Sequence, residues 1–325
     1  MTRIGLDAMG GDYAPDVIIR AVNGLEPPPF ELVLVGDESI LKGKVPTWVK
    51  IYHTEQVIGM DEHPLDAIRK KPNSSIVMGM ELQKRGELDA FVGFGNSGAY
   101  MVAAVTKLGR LKGIKRPALA TFFPTVKGYT LVLDVGANVD AEPIHLYQFA
   151  MMASIYLERA LGVDNPSIGL VSMGEEDIKG GDKIMEAHRL LKQSGLNFYG
   201  NIDAHQILYG VVDIVVCSGA IGNAILKFGE SLVEIIGDIL KSSINRSIFT
   251  KLAGAMLAPS LRKSFGRLNY ERYGGAILMG VKGVNVIGHG RSKEPAIQNA
   301  LFTAYKYVKE AVNDSIEEAI HSVAG

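Results

Sequence analysis

Glycine- and asparagine-bearing turns concentrate the chemistry of this 325-residue chain. Gly93-Phe94-Gly95-Asn96-Ser97-Gly98 matches G-x-G-x-x-G, and Asp134-Val135-Gly136-Ala137-Asn138 and Gly219-Ala220-Ile221-Gly222-Asn223 repeat its theme; Gly274-Gly275 follows Tyr273. Glycine lets the backbone approach a ligand closely, and asparagine offers donors and an acceptor on one short side chain. A turn of this kind that opens a helix turns its N–H groups toward an anion. For 93–98 three readings stand: a dinucleotide pyrophosphate site, a cradle for a smaller anion, and a purely structural turn. The dinucleotide fingerprint also expects an acid about 20 positions on to hold the ribose. No Asp or Glu occurs between Asp89 and Asp134, where Lys107, Arg110, Lys112, Lys115, Arg116 and Lys127 stand instead. The balance favours the anion cradle.

Cations accompany these turns. Lys227 follows Asn223 by one helical turn, and Lys179 sits beside Gly180 in Gly174-Glu175-Glu176-Asp177-Ile178-Lys179-Gly180, where it can reach an anion as a point charge. Glu175 and Glu176 favour the positive end of the next helix. No second carboxylate set at ligand spacing supports a metal there. Other catalytic templates fail: position 99 is alanine, so there is no G-x-S-x-G elbow, no H-E-x-x-H occurs, and the seven histidines do not cluster. Cys217 lies inside an apolar strand, where an inert buried thiol outweighs a nucleophile. A mechanism that uses the substrate's own nucleophile fits this inventory.

Positioning these turns falls to short apolar strands alternating with amphipathic helices. Strands are expected at 4–9, 31–35, 49–53, 89–94, 118–123, 130–134, 168–172 and 213–217, and helices at 74–84, 98–108, 144–161, 183–194, 223–241 and 294–312. The alternation predicts an α/β fold, a three-layer α/β/α sandwich around a mainly parallel sheet, with ligands outside the strands' carboxyl ends. A hairpin signal at 276–279 and 284–287 interrupts it. The chain reads as one catalytic domain, 1–325, with room for two subdomains sharing a sheet.

A second segment stands apart. Between 239 and 270 there is no Asp or Glu, but there are Lys241, Arg246, Lys251, Arg262, Lys263 and Arg267 among apolar residues at mostly helical spacing. It predicts a helical hairpin, divided at Pro259, for dimer packing, or for peripheral membrane contact through 244–267. With 47% hydrophobic and 21% charged residues the chain is an ordinary globular one, and its formal net charge of −1 gives no global attraction to nucleic acid. One cysteine permits no intrachain disulfide, the start has no signal-peptide core, and no apolar run spans a membrane. The expectation is a cytoplasmic protein.

DAMGGDYAP, KPNSSI, GNSGA, DVGANVDAEP, GEEDIKG, GNID, SGAIGNAILK and YERYGGAILMGVKGVNVIGHG follow one another along the chain. In this order they resemble the PlsX family, the acyl-acyl-carrier-protein:phosphate acyltransferases, from Ile4 to about Ala304. The resemblance implies transfer of a fatty acyl group from acyl carrier protein to inorganic phosphate, giving acyl phosphate for phosphatidic acid and phospholipid synthesis. It also implies a homodimer and a fold related to isocitrate and isopropylmalate dehydrogenases and to phosphate acetyltransferases. An acyl-coenzyme A donor and a catalytically weak binding scaffold are the alternatives. No cofactor is called for, since phosphate itself attacks the thioester. Phosphate or thioester positioning then falls to Ser74, Ser75, Asn96, Ser97, Gly98, Asp134, Asn138, Ser218 and Lys227. Lys179 and Asn223 would balance charge on phosphate or oxyanion, and His289 would protonate the leaving thiol. The family usually reads Asp-Gly-Phe-x-Gly-Asn where this chain has Ser218-Gly219-Ala220-Ile221-Gly222-Asn223, so Ser218 takes the place of a carboxylate. Acyl carrier proteins are acidic and would dock on a basic patch, either 107–116 or 241–267.

Overall fold

The computed structural model describes residues 1–268 and 274–323. Eleven strands form one sheet: β1 (Arg3–Asp7), β2 (Glu31–Gly36), β3 (Lys50–His53), β4 (Ala90–Gly93), β5 (Ala118–Thr125), β6 (Gly128–Leu133), β7 (Ile168–Val171), β8 (Phe198–Ile202), β9 (Ile214–Val216), β10 (Ala276–Met279) and β11 (Val284–Ile287). Their order is β3-β2-β1-β4-β11-β10-β5-β6-β9-β7-β8. The first five run parallel to one another, as do the last four. Antiparallel pairings of β11 with β10, β10 with β5 and β5 with β6 join the blocks. Three reversals leave the two blocks pointing in opposite directions.

The register decides where the carboxyl ends fall. One row of paired residues crosses all eleven strands: Ile51, Leu34, Leu6, Val92, Val286, Ile277, Ala120, Leu133, Val216, Leu170 and Asn201. Val92 and Val286 lie one residue before the ends of β4 and β11, while Leu133 and Val216 are the last residues of β6 and β9. The two opposed blocks therefore end at the same level, and their loops meet across the central strands.

Helices cover both faces unequally. On one face α1 (Asp16–Asn23), α6 (Pro143–Tyr156), α7 (Asp182–Lys192), α11 (Glu294–Lys309) and α12 (Val312–Val323) share a continuous core with Leu6, Val92, Leu133 and Val216. On the other, α3 (Pro64–Lys70), α4 (Ser75–Lys84) and α5 (Ser97–Ala103) pack around Phe91 and Tyr100. A separate cluster gathers α8 (Ala204–Tyr209) and the start of α9 (Gly219–Ile244) around Val215 and Ile202. Leu119 of β5 touches both clusters. The second face is thus split over β10 and β5, and the split is a trench.

Some elements differ from the expectation. Strand β8 was not foreseen, because Phe198-Tyr199-Gly200-Asn201-Ile202 lacks clean alternation; Gly200 has φ +131° and the β7–β8 register shifts beside it. The short α2 (Glu38–Leu41), α3 and α8 were also missed. The helix expected over 294–312 breaks into α11 and α12 at Ala311, whose φ is +48°. Helices α5 and α6 each run on into a single π turn, Ala104–Leu108 and Leu157–Leu161. The projecting hairpin is made of α9 and α10 (Ile248–Leu268), and Pro259 stands inside α10 rather than dividing it. Residues 269–270 of the expected hairpin, Tyr273, and the side chains of Arg262, Lys263 and Arg267 lie outside the described residues.

Candidate active site

Two sets of glycine loops frame the trench. After β1 and β4, Gly10 and Gly95 lie back to back: a Cβ on Gly10 would sit 2.9 Å from the Gly95 Cα and 2.4 Å from Asp7 Oδ2. After β6 and β9, a Cβ on Gly222 would sit 1.9 Å from the Asp134 carbonyl, and one on Gly219 2.3 Å from the Asn138 carbonyl. These positions accept hydrogen only, because each strand end packs directly on a neighbouring backbone.

Asp134 holds its loop together. Fully buried, it accepts five hydrogen bonds: Oδ1 from the N–H groups of Leu119 (2.9 Å), Gly136 (3.2 Å) and Ala137 (2.9 Å), Oδ2 from the N–H (2.6 Å) and Nδ2 (2.9 Å) of Asn138. Asn138 Nδ2 also donates to the Pro117 carbonyl at 2.7 Å. Asn96 is equally committed. Its Oδ1 caps α5 through the Ala99 N–H at 3.0 Å, and its Nδ2 reaches the carbonyls of Gly59, Met60 and Glu62 at 2.9–3.1 Å. Ser74 is buried as the N-cap of α4, and Ser75 is buried beside Asp7. Asp134, Asn96, Ser74 and Ser75, expected on the anion, line neither the cleft between the loops nor the larger one beside it, and shape the loops that do. The physical reason is that a buried polar side chain must satisfy its hydrogen bonds locally.

A cleft of about 360 Å³ lies between the two loop sets. Ser97, Asn223, Lys227 and His289 line it together, from three separate sequence regions. Ser97 is exposed at the first position of α5, and Asn223 stands in the first turns of α9, with Gly136 alongside. Lys227 is one turn further, its ammonium 2.9 Å from Glu230. The Nδ1 of His289 accepts from the Arg291 N–H at 3.1 Å, so the neutral ring carries its proton on Nε2. Asp12, 3.6 Å from the Arg291 guanidinium, and the buried Ser292 complete the rim. The sequence reading overlooked Asp12, Ser292 and Glu230; Arg291-Ser292 follows directly on the Gly288-His289-Gly290 motif and was the available signal. Ser218 N-caps α9 in extended conformation without using its side chain for the cap. Lys179 is exposed in the 172–181 loop and lines neither this cleft nor the adjacent one.

Cys217 is fully buried, and burial followed by the charge of Asp134 pushes its thiol far above the ordinary range, which makes it an inert core residue. Asp7 is a further buried ionisable group at these strand ends. Its Oδ1 accepts from the N–H groups of Met9 (3.0 Å) and Gly10 (3.1 Å), while Oδ2 lacks a well-formed hydrogen bond. Burial raises the carboxyl above its usual range, and the facing Ser75 hydroxyl offsets this in part. None of these groups supplies an enzyme nucleophile at the cleft. Backbone N–H groups, hydroxyl, amide, ammonium and imidazole can together bind an oxyanion and protonate a leaving group.

A family model described as fatty acid synthesis protein matches residues 2–315. A phosphate acyltransferase from Moorella thermoacetica is 43% identical over 316 residues, covering 95% of this chain and 93% of the relative. One from Desulfitobacterium hafniense is 43% identical over 327 residues and covers 98% of both. Among solved structures, the EutD phosphotransacetylase from Staphylococcus aureus superposes with a TM-score of 0.62 at 14% identity, over 94% of each chain. A 4-hydroxythreonine-4-phosphate dehydrogenase from Klebsiella pneumoniae gives 0.57 at 13%, over 95% of this chain and 100% of its own. These two share the fold. The chain belongs to the fatty acid synthesis protein family, that of the phosphate acyltransferases, and is an acyltransferase.

Proposed function

We propose that the chain transfers a fatty acyl group from the phosphopantetheine thioester of acyl carrier protein to inorganic phosphate, yielding acyl phosphate for phospholipid synthesis. The observation that carries this reading is the meeting of Ser97, Asn223, Lys227 and His289 on one cleft at the start of α5. Phosphate would be held by the N–H groups that open α5, the Ser97 hydroxyl and Lys227, and would attack the thioester carbonyl itself. Asn223 would donate to the oxyanion, where loss of one good donor costs about 2.7–4 kcal/mol of barrier. The Nε2–H of His289 would hydrogen-bond the departing sulfur, and the proton released by the attacking hydrogen phosphate would complete the thiol. Ser74, Ser75, Asn96, Asp134 and Asn138 act in this scheme by fixing the loops, and Lys179 stays outside it.

The same reading has the protein working as a homodimer at the α9–α10 hairpin, with the hairpin tip available to a cytoplasmic membrane surface. No helix among the described residues is long and apolar enough to cross a membrane. The decisive assay follows carrier thiol release from acyl carrier protein with and without phosphate, with acyl-coenzyme A run in parallel. Phosphate-dependent release with acyl phosphate as product is expected, and Asn223→Ala should slow it about 10²–10³-fold. Release that ignores phosphate, or none with either donor, would overturn the assignment.

A further inference from the structure

The trench continues past the site into a larger cleft of about 760 Å³. Met101 of α5 lines both compartments and forms the partition between them. Along the floor, Ala276 belongs to the first compartment and Leu278, two residues on and on the same face of β10, to the second. Met101, Val102, Val105 and Leu278 make the second compartment apolar. Its rim is cationic: Arg110, Lys115 and Arg116 line it with His145, and no Asp or Glu does so among the described residues.

The rim is organised rather than loosely charged. The Arg110 guanidinium donates to the Lys115 carbonyl, which fixes the loop, and the Lys115 N–H donates to Gln148 Oε1 at 2.8 Å. The exposed side chains of Lys115 and Arg116 form no ion pair among the described residues, whereas Lys107 on the same stretch is bound to Glu81 at 3.0 Å. Burial, and then the Arg116 charge, lower His145 below the usual histidine range. Its Nδ1 accepts from the Glu142 N–H at 3.0 Å, so the neutral ring presents an Nε2–H donor. An apolar channel that opens on the reacting centre at one end and on a cationic rim at the other fits an elongated ligand, uncharged along its length and anionic at its far end.

We infer that this second compartment is the subsite for the donor's phosphopantetheine arm, with the arm across Met101, Val105 and Leu278 and its phosphate on Lys115 and Arg116. The inference rests on the acyl-transfer reading, because that reading supplies a thioester at the Met101 end. Phosphate on a guanidinium–ammonium rim forms charge-assisted hydrogen bonds, and the rim's lack of acids leaves these uncontested.

A binding experiment tests this independently of turnover. The probe is a non-hydrolysable thioether analogue of acyl-phosphopantetheine, titrated calorimetrically beside the same compound lacking its phosphate. The native chain should bind the phosphorylated probe at least about tenfold more tightly. Lys115→Ala with Arg116→Ala should erase that preference, and Val105→Trp, which fills the channel, should weaken both probes, each variant keeping the native melting temperature. Equal binding of the two probes by the native chain, or an unchanged preference in the double variant, overturns the subsite. Failure of the acyl-transfer reading would appear elsewhere, as thioester cleavage independent of phosphate.

Discussion

Two buried carboxylates at strand ends show how differently one residue type can be used. Asp134 accepts from five donors, so both of its buried oxygens are satisfied. Asp7 has two donors on Oδ1 and none well placed on Oδ2, and burial raises its pKa above the ordinary 3.8. Between the unfolded and the raised folded value, the native state holds a proton that the unfolded chain has lost. Its contribution to stability therefore falls as pH rises from about 3.8, and is lowest above the folded pKa. Asp7→Asn keeps an oxygen for Met9 and Gly10 and removes the titration. Urea midpoints measured from pH 4 to 8 should show this variant gaining on the native chain as pH rises. A native-minus-variant difference that stays flat with pH would refute the burial argument.

At the scale of elements, the site depends on how closely helices approach strand ends. Helix α9 starts against the 134–138 loop with Gly219 and Gly222 buried and Ile225 and Leu226 packed on the core, and projects away beyond these turns. A methyl at 222 would overlap the Asp134 carbonyl at 1.9 Å, a contact that only a backbone shift can relieve. Gly222→Ala should cost about 1–3 kcal/mol or more in chemical denaturation. Because Asn223 and Lys227 ride on the same helix turns, it should also cut activity beyond the stability loss. A variant as stable and active as the native chain would show that α9 docks less tightly than this geometry demands.

For the whole molecule, the most conspicuous surface is the α9–α10 hairpin. Phe228, Leu232, Ile235, Ile236 and Ile239 recur at helical spacing, and Phe228 is 72% and Phe249 81% exposed. Contiguous apolar stripes of this extent are seldom left in water. A second copy that buries the stripe would leave the basic tip, with Arg246 and Lys251, for anionic lipid. Sedimentation should give twice the chain mass for the native protein and one chain mass for Ile235→Asp with Leu252→Asp. A native monomer at micromolar concentration would remove the dimer. Flotation with anionic vesicles that stays negative at low salt would remove the lipid contact.

Sequence alone determined most of the elements, because alternating short apolar runs and 3.6-residue patterns are local properties of the chain. It also identified the glycine turns and the missing ribose acid, since both are matters of residue type at short range. Strand β8 escaped because Gly200 and a register shift erase its alternation. How the turns divide their work was settled by packing. Ser97, Asn223, Lys227 and His289 come from distant segments and meet because three antiparallel pairings bring two opposed blocks to end on one row. Asn96 and Asp134 carry the same polar groups as the residues lining the cleft, yet burial commits them to their own loops. Sequence names the groups that can hydrogen-bond; packing decides which of them are left facing the cleft and which must be satisfied inside the protein.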